Sequence, residues 1–201
     1  GTQVIISLER LNKIRKISIE DQVIELEAGC LLTNVQEEVA KNDFIFPIDM
    51  ASSGSCQIGG NISTNAGGTN VLKYGSTRSQ ILGLEVVLPN GSIWNGISSL
   101  IKDNSGYDIK QLFIGAEGTL GIITAASIKL YPVPGEIITL FIGVNYGEAI
   151  QFILKNIRKK YKNNIETFEL ISERALNFVT DFLPNIKPPL MKSYEYYLLI
   201  E

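Results

Sequence analysis

The sequence predicts an α+β fold, and two observations carry that reading. Over the first 130 or so residues, strand-like alternation comes in hairpin pairs, at 14–19 with 23–27 and at 81–88 with 92–94. After Pro134 the texture changes to strand, helix, strand, helix, strand, which marks a second domain that is only begun. The boundaries read 1–134 and 135–201.

Each element has a local reason. Residues 4–8, VIISL, read as a short apolar strand, and IRKISIEDQVIELEA alternates around a Glu20-Asp21 turn. Thr33 and Gln36 have capping-box spacing at the start of a helix, with Leu32, Val35 and Val39 on one face. The apolar run Phe44-Ile45-Phe46 is ended by Pro47. The 81–94 hairpin turns at Pro89-Asn90-Gly91, a sequence suited to a tight reversal. A short helix is expected over 108–113, and a β-branched strand over 122–130, closed by Pro132 and Pro134. Beyond it, strands are expected at 137–144, 167–170 and 196–200. A helix over 148–161 carries Ala149, Phe152, Ile153 and Ile157 on one face, and another covers 173–179. Pro184, Pro188 and Pro189 mark a loop.

Composition excludes several classes. The 201 residues are 45% apolar, enough for a real core, and 18 basic against 21 acidic residues give a net charge of −3. No basic block suited to nucleic acid appears, and Arg158 to Lys160 read as the solvated face of a helix. With no histidine and two widely spaced cysteines, a zinc site, a structural disulfide and histidine acid–base chemistry are not expected. No run approaches a membrane span and no secretory signal is visible, so the expectation is a cytoplasmic protein. The chain starts and stops abruptly, and is expected to be a piece of a longer protein.

Three stretches carry chemistry. In SGSCQIGGNISTNAGGTNVLKYG, residues 53–75, six glycines stand among short neutral donors and acceptors, including Ser55, Asn61, Thr64 and Asn65. Such main chain can converge on a diphosphate or lie against a neutral, hydrogen-bond-rich ring system; tight turns are the plainer alternative. It is neither a GxGxxG fingerprint nor a P-loop. In GAEGTLGIIT, residues 115–124, Gly115, Gly118 and Gly121 recur every third residue into an apolar strand, consistent with close backbone approach to a ligand or with a bulge. KDNSGYD, residues 102–108, reads as a polar turn at a helix start.

Taken in order, PIDMASSGSCQIGGNISTNAGGTNVLKYG, ILGLEVVLPNGS and KDNSGYDIKQLFIGAEGTLGIITAASIKLYP resemble the PCMH-type FAD-binding domain of FAD-linked oxidases of the vanillyl-alcohol-oxidase type. The branch they look most like is the D-2-hydroxyacid dehydrogenases: glycolate oxidase flavoprotein subunit, D-lactate dehydrogenase and D-2-hydroxyglutarate dehydrogenase. The resemblance implies mainly the second subdomain of that domain, without the upstream diphosphate loop, followed by the start of a ferredoxin-like substrate (cap) domain. It also implies non-covalent FAD. Pro47, Gly54, Ser55 and Cys56 should line the flavin side, and Gly59, Gly60 and Asn61 should continue that wall. Thr64, Asn65 and Gly67 should reach the ribityl chain or diphosphate, and Glu117, Gly121, Ile122 and Ile123 should border the adenosine or flavin edge.

The family reaction is hydride removal from a D-2-hydroxyacid to flavin N5, followed by reduction of an electron acceptor. Catalytic residues and any metal ligands belong to a C-terminal region beyond this chain, so none is assigned here. Partners implied are a small hydroxyacid, an electron acceptor and a second copy in a homodimer, with no nucleic acid and no membrane span. The alternatives are another flavoenzyme of the same superfamily, or a non-catalytic domain packed on a partner. Cys56 is expected to be a small residue beside the cofactor, Cys30 plain core and Trp94 packing.

Overall fold

The computed structural model describes residues 4–183 and 185–201. They form two compact units, one of residues up to Gly68 with Tyr74–Val133, the other of Thr69–Lys73 with Pro134–Glu201. The elements run β1 (Ile14–Ser18), β2 (Val23–Glu27), α1 (Leu32–Ala40), β3 (Phe44–Ile45), α2 (Ile58–Ser63), α3 (Val71–Tyr74), α4 (Thr77–Gln80), β4 (Ile81–Val87), β5 (Ile93–Asn95), α5 (Lys110–Phe113), β6 (Ile122–Lys129), β7 (Tyr131–Pro132), β8 (Leu140–Val144), α6 (Gly147–Tyr161), β9 (Phe168–Ser172), α7 (Glu173–Phe182) and β10 (Tyr196–Ile200).

The first unit is built on an antiparallel five-stranded sheet in the order β1-β2-β6-β4-β5. Alternation puts Ile24 and Leu26 of β2, Ala126 and Ile128 of β6, and Ile81 and Leu84 of β4 on one face, in register with one another. Leu32, Val35 and Val39 of α1 and Ile58 and Ile62 of α2 join the same buried cluster. Each such side chain taken from water contributes about 1.5–3 kcal/mol. A two-stranded pair, β3 with β7, stands apart from the main sheet.

The opposite sheet face is polar and is crossed by main chain. Ser127 Oγ donates to the Ser98 carbonyl at 2.6 Å, and the Gly96 N–H donates to the Leu84 carbonyl at 2.8 Å. The 96–98 segment therefore lies directly on Gly83, where an added Cβ would sit 2.4 Å from the Gly96 oxygen and 2.5 Å from the Ser98 nitrogen. Further along this sheet, Arg15 makes a two-pronged contact with Glu85, 3.2 Å on each arm, and lies 3.7 Å from Glu25 and 3.6 Å from Glu27.

The hydrogen bonds from Arg15, with help from Thr124, hold the Glu85 carboxyl below the usual carboxylate range against an opposing desolvation effect. A lowered carboxylate stabilises the fold at pH above its unfolded value, and that share is lost as pH falls through the folded one. Replacing Glu85 by Gln should lower stability at neutral pH by about 1 kcal/mol and flatten its loss on acidification. Thermal unfolding of wild type and Glu85→Gln between about pH 3 and pH 7 checks this; parallel curves would refute it.

The second unit carries a three-stranded antiparallel sheet in the order β8-β10-β9. The connection β8-α6-β9 places two parallel strands on either side of β10, a split β-α-β arrangement. Ala149, Ile150, Ile153 and Ile157 of α6 pack against Ile142, Val144, Leu198 and Ile200. The Ser172 hydroxyl caps α7 by accepting from the Ala175 N–H at 3.2 Å. Within this unit Lys73 pairs with Glu166, and the Thr167 hydroxyl reaches the Asn70 side-chain oxygen at 3.4 Å.

Several expectations need correction. Residues 4–8 form no strand, and Val4 and Ile5 are 89% and 91% exposed, because no neighbouring strand pairs with them. Thr33 and Gln36 do not make a capping box: α1 starts after Leu31 without a side-chain cap. The Thr33 hydroxyl donates instead to the Ser53 carbonyl, and the Gln36 amide to the Phe46 and Ile48 carbonyls. Phe152 lies outside the apolar face of α6 and is 69% exposed. The expected loop proline Pro184 lies outside the described residues. Three short helices within 58–80 were not expected, and α2 is one of them, although it contains Gly59 and Gly60.

Candidate functional site

The glycine-rich stretch is not one loop. It begins as a turn, with the Ser53 N–H donating to the Met50 carbonyl and the Cys56 N–H to the Ser52 carbonyl. Gly54 and Ser55 are exposed in this turn and Cys56 is half-buried. Ser55 borders a cleft of about 580 Å³ whose other walls include Asn12, Gly29, Cys30, Asn34 and Gln57. Pro47 is buried between Phe46 and Ile48, whose carbonyls are tied to α1 by Gln36.

From Ile58 the chain turns helical because tertiary bonds hold it there. The Ile58 N–H donates to the Cys30 carbonyl and the Gly59 N–H to the Ala28 carbonyl, at 2.9 and 2.7 Å. Gly59 faces inward, and an added Cβ would meet the Ala28 Cβ at 2.8 Å. Gly60 faces outward, and an added Cβ there, as at Gly54, meets nothing within 4 Å. Asn61 is buried and donates from Nδ2 to the Cys56 sulfur at 3.6 Å. Cys30 is core, and burial pushes its thiol up. Trp94 stacks on Phe113 at 5.4 Å between centroids, as packing.

After α2 the main chain changes hand. Thr64 is exposed, with its hydroxyl donating to the Gly60 carbonyl at 2.9 Å. Asn65 adopts φ 47, and its side-chain oxygen accepts from the Ser76 hydroxyl and the Arg78 N–H at 3.0 and 2.9 Å. Its side chain is thus committed to the fold, and Gly67 beyond it is half-buried.

The structure brings this stretch against the second one. The Gly115 N–H donates to the Ile62 carbonyl at 3.0 Å and the Glu117 N–H to the Ser63 carbonyl at 2.9 Å. Gly115, Glu117 and Gly118 all have positive φ, at 79, 51 and 77 degrees, so the segment is a compact reversal with an exposed outer side. Gly121 is different: an added Cβ would sit 2.7 Å from Val86 Cγ1, so its bareness serves packing on β4. Ile123 belongs to the core and Ile122 is half-buried beside it. Among the described residues no cluster of three or more His, Cys, Asp or Glu could hold a metal ion, and no helix is long and apolar enough to cross a membrane.

The residues fit a large planar ligand with polar edges in one specific respect: the outward sides at Gly54, Gly60 and Gly118 are bare main chain with room for a neighbour. Sequence reasoning missed Gln36, Ser76, Thr77 and Arg78, whose contacts shape this surface. A Ser-Thr pair directly after Gly75 was the available signal, in the short gap between the glycine-rich stretch and the 81–88 strand.

Residues 1–96 match the family described as FAD binding domain. The chain is 37% identical over 199 residues to D-2-hydroxyglutarate–pyruvate transhydrogenase DLD3 of Saccharomyces cerevisiae, covering 99% of this chain and 40% of that protein. It is 40% identical over 200 residues to the mitochondrial D-2-hydroxyglutarate dehydrogenase of Bos taurus, and 37% over 199 residues to that of Arabidopsis thaliana, covering 99% of this chain and 36% of each of them. The chain therefore spans well under half the length of these relatives. Among solved structures, alkyldihydroxyacetonephosphate synthase superposes with a TM-score of 0.74 at 21% identity, over 96% of this chain and 36% of that one, a likeness of fold. The expected cytoplasmic location is overturned by these findings, since the Bos taurus and Arabidopsis thaliana relatives are named as mitochondrial. Absence of a secretory signal or membrane span had no power to separate those compartments. Motif order, α+β architecture and the matched residues converge: residues 1–96 match an FAD binding domain, with FAD as its cofactor, and over 99% of its length the chain is similar to one part of the D-2-hydroxyglutarate dehydrogenases.

Proposed function

We propose that the protein carrying this chain is an FAD-dependent dehydrogenase of a D-2-hydroxyacid, with D-2-hydroxyglutarate the leading substrate and D-lactate and glycolate the runners-up. The observation that carries the reading is the pair of hydrogen bonds from Gly115 and Glu117 to Ile62 and Ser63, which makes one surface of the two glycine-bearing stretches. The names of the relatives support the substrate class.

In this reading residues 1–134 contribute to FAD binding and residues 135–201 open the substrate domain. Bound FAD supplies the acceptor for the hydride lost from the substrate carbon. The chain's own residues bind and orient. Gly54 and Gly60 keep side chains out of the flavin's place, and Ser55 and Thr64 offer short polar groups along its edge. Asn65 and Glu117 shape the turns through their positive φ rather than by reaching out. No residue here is given an acid–base role. Electrons then pass to a separate acceptor.

The test is an absorbance spectrum of the full-length protein. It should be yellow, and its flavin band should bleach anaerobically with D-2-hydroxyglutarate but not with the L-enantiomer. Protein that takes up no FAD, or that bleaches equally with both enantiomers, overturns the reading.

A further inference from the structure

The residue that ties the two glycine-bearing stretches to each other is Arg78, on the four-residue helix α4. Its guanidinium donates from Nη1 to the Gln111 carbonyl at 2.9 Å and to Gln111 Oε1 at 2.7 Å, and from Nη2 to the Ile114 carbonyl. These acceptors stand immediately before Gly115. At its other end, the Arg78 N–H donates to Asn65 Oδ1 at 2.9 Å. The preceding Thr77 donates twice to the Ala66 carbonyl, from N–H at 3.0 Å and from Oγ1 at 2.8 Å. One short turn of helix thus holds residues 65–66 by two N–H groups and the Thr77 hydroxyl, and residues 111–114 by a single side chain. The three parts meet at Gly115, where an added Cβ would lie 3.3 Å from Arg78 Nη2 and 3.4 Å from the Asn65 Cβ.

We propose that Arg78 is a positioning residue for the flavin: it fixes the Gly115–Gly118 reversal against the Asn65 turn so that both offer main chain to one ligand. This rests on the flavin reading above. The planar fork matters, because three acceptors at set positions are met at once by a rigid guanidinium, whereas a lysine ammonium brings one point charge to the same place. Among the described residues, the bonds of this guanidinium run to carbonyl and amide oxygens and none to a carboxylate. Its cation holds two backbone carbonyls and one side-chain amide rather than forming an ion pair.

The experiment uses the full-length flavoprotein with Arg78→Ala and Arg78→Lys. FAD affinity is measured by flavin fluorescence titration, and thermal unfolding is followed with and without added FAD. Arg78→Ala should weaken FAD binding about tenfold or more, the loss matching one or two charge-assisted hydrogen bonds. Arg78→Lys should recover part of it. Millimolar guanidinium ion should restore FAD binding to Arg78→Ala and leave wild type unchanged. Unaltered FAD affinity in either variant, with melting lowered equally in the presence and absence of FAD, would make Arg78 a staple of the fold only and overturn the proposal. If Arg78→Ala does not fold, Arg78→Lys alone decides by the same affinity measurement. A wild-type protein that binds no FAD overturns the flavin reading itself, a distinct outcome visible before any variant is made.

Discussion

Replacing Gly60 by Val should strip the full-length protein of flavin while leaving its fold nearly intact, whereas replacing the adjacent Gly59 by Ala should damage the fold itself. The contrast follows from which way each glycine faces. An added Cβ at Gly60 meets nothing within 4 Å in the protein, so any clash it causes is with the ligand. Its local cost is small, because glycine is already the poorest ordinary residue in a helix. At Gly59 the added Cβ would sit 2.8 Å from the Ala28 Cβ and 3.1 Å from the Ala28 carbonyl oxygen, which itself accepts the Gly59 N–H. Overpacking at such a site costs about 1–3 kcal/mol. The measurements are flavin absorbance per protein and the unfolding midpoint for each variant. Full flavin content in Gly60→Val would mean that this face of α2 looks away from the cofactor. A wild-type midpoint for Gly59→Ala would mean that α2 can shift away from Ala28 at little cost.

Replacing Gly83 by Ala should be among the most destabilising single changes in the first unit. The 96–98 segment crosses β4 at this point, and both nearest atoms to an added Cβ are backbone, at 2.4 and 2.5 Å. A rotamer change cannot relieve that contact. Either the crossing segment lifts, losing the Ser127 bonds to Ser98, or β4 shifts within a sheet paired on both sides. A loss of about 2–4 kcal/mol is expected, and about 5–15 °C in the unfolding midpoint. Gly147→Ala is the control, since its Cβ meets nothing within 4 Å and it opens a helix. Equal midpoints for the two variants would show that the crossing segment is not held against the sheet.

The sequence made some of this visible and hid the rest for identifiable reasons. Strands β2, β4, β6 and β10 were legible because apolar and β-branched residues recur with a period that a half-buried sheet demands, and the Pro89-Asn90-Gly91 turn set the β4–β5 hairpin. Helix α2 was not legible: Gly59 and Gly60 argue against a helix, and what overrules them is a pair of bonds to Ala28 and Cys30, some thirty positions earlier. The same long-range logic defeated the capping-box reading at Thr33 and Gln36, whose side chains serve carbonyls at 46, 48 and 53. For the candidate site, motif order singled out the glycine-rich stretches but could not tell an inward glycine from an outward one. Gly59 and Gly60 look alike in one dimension and face opposite ways in three.

The second unit includes Thr69–Lys73, a loan from the middle of the first unit's sequence. The polypeptide therefore passes between the two groups of residues at Gly68–Thr69, Lys73–Tyr74 and Val133–Pro134. Limited proteolysis or gene dissection at residue 133 cannot release the C-terminal portion whole, because Glu166 would be parted from Lys73 and Thr167 from Asn70. Modular swaps of the C-terminal portion among relatives face the same obstacle: the five donated residues would have to travel with it.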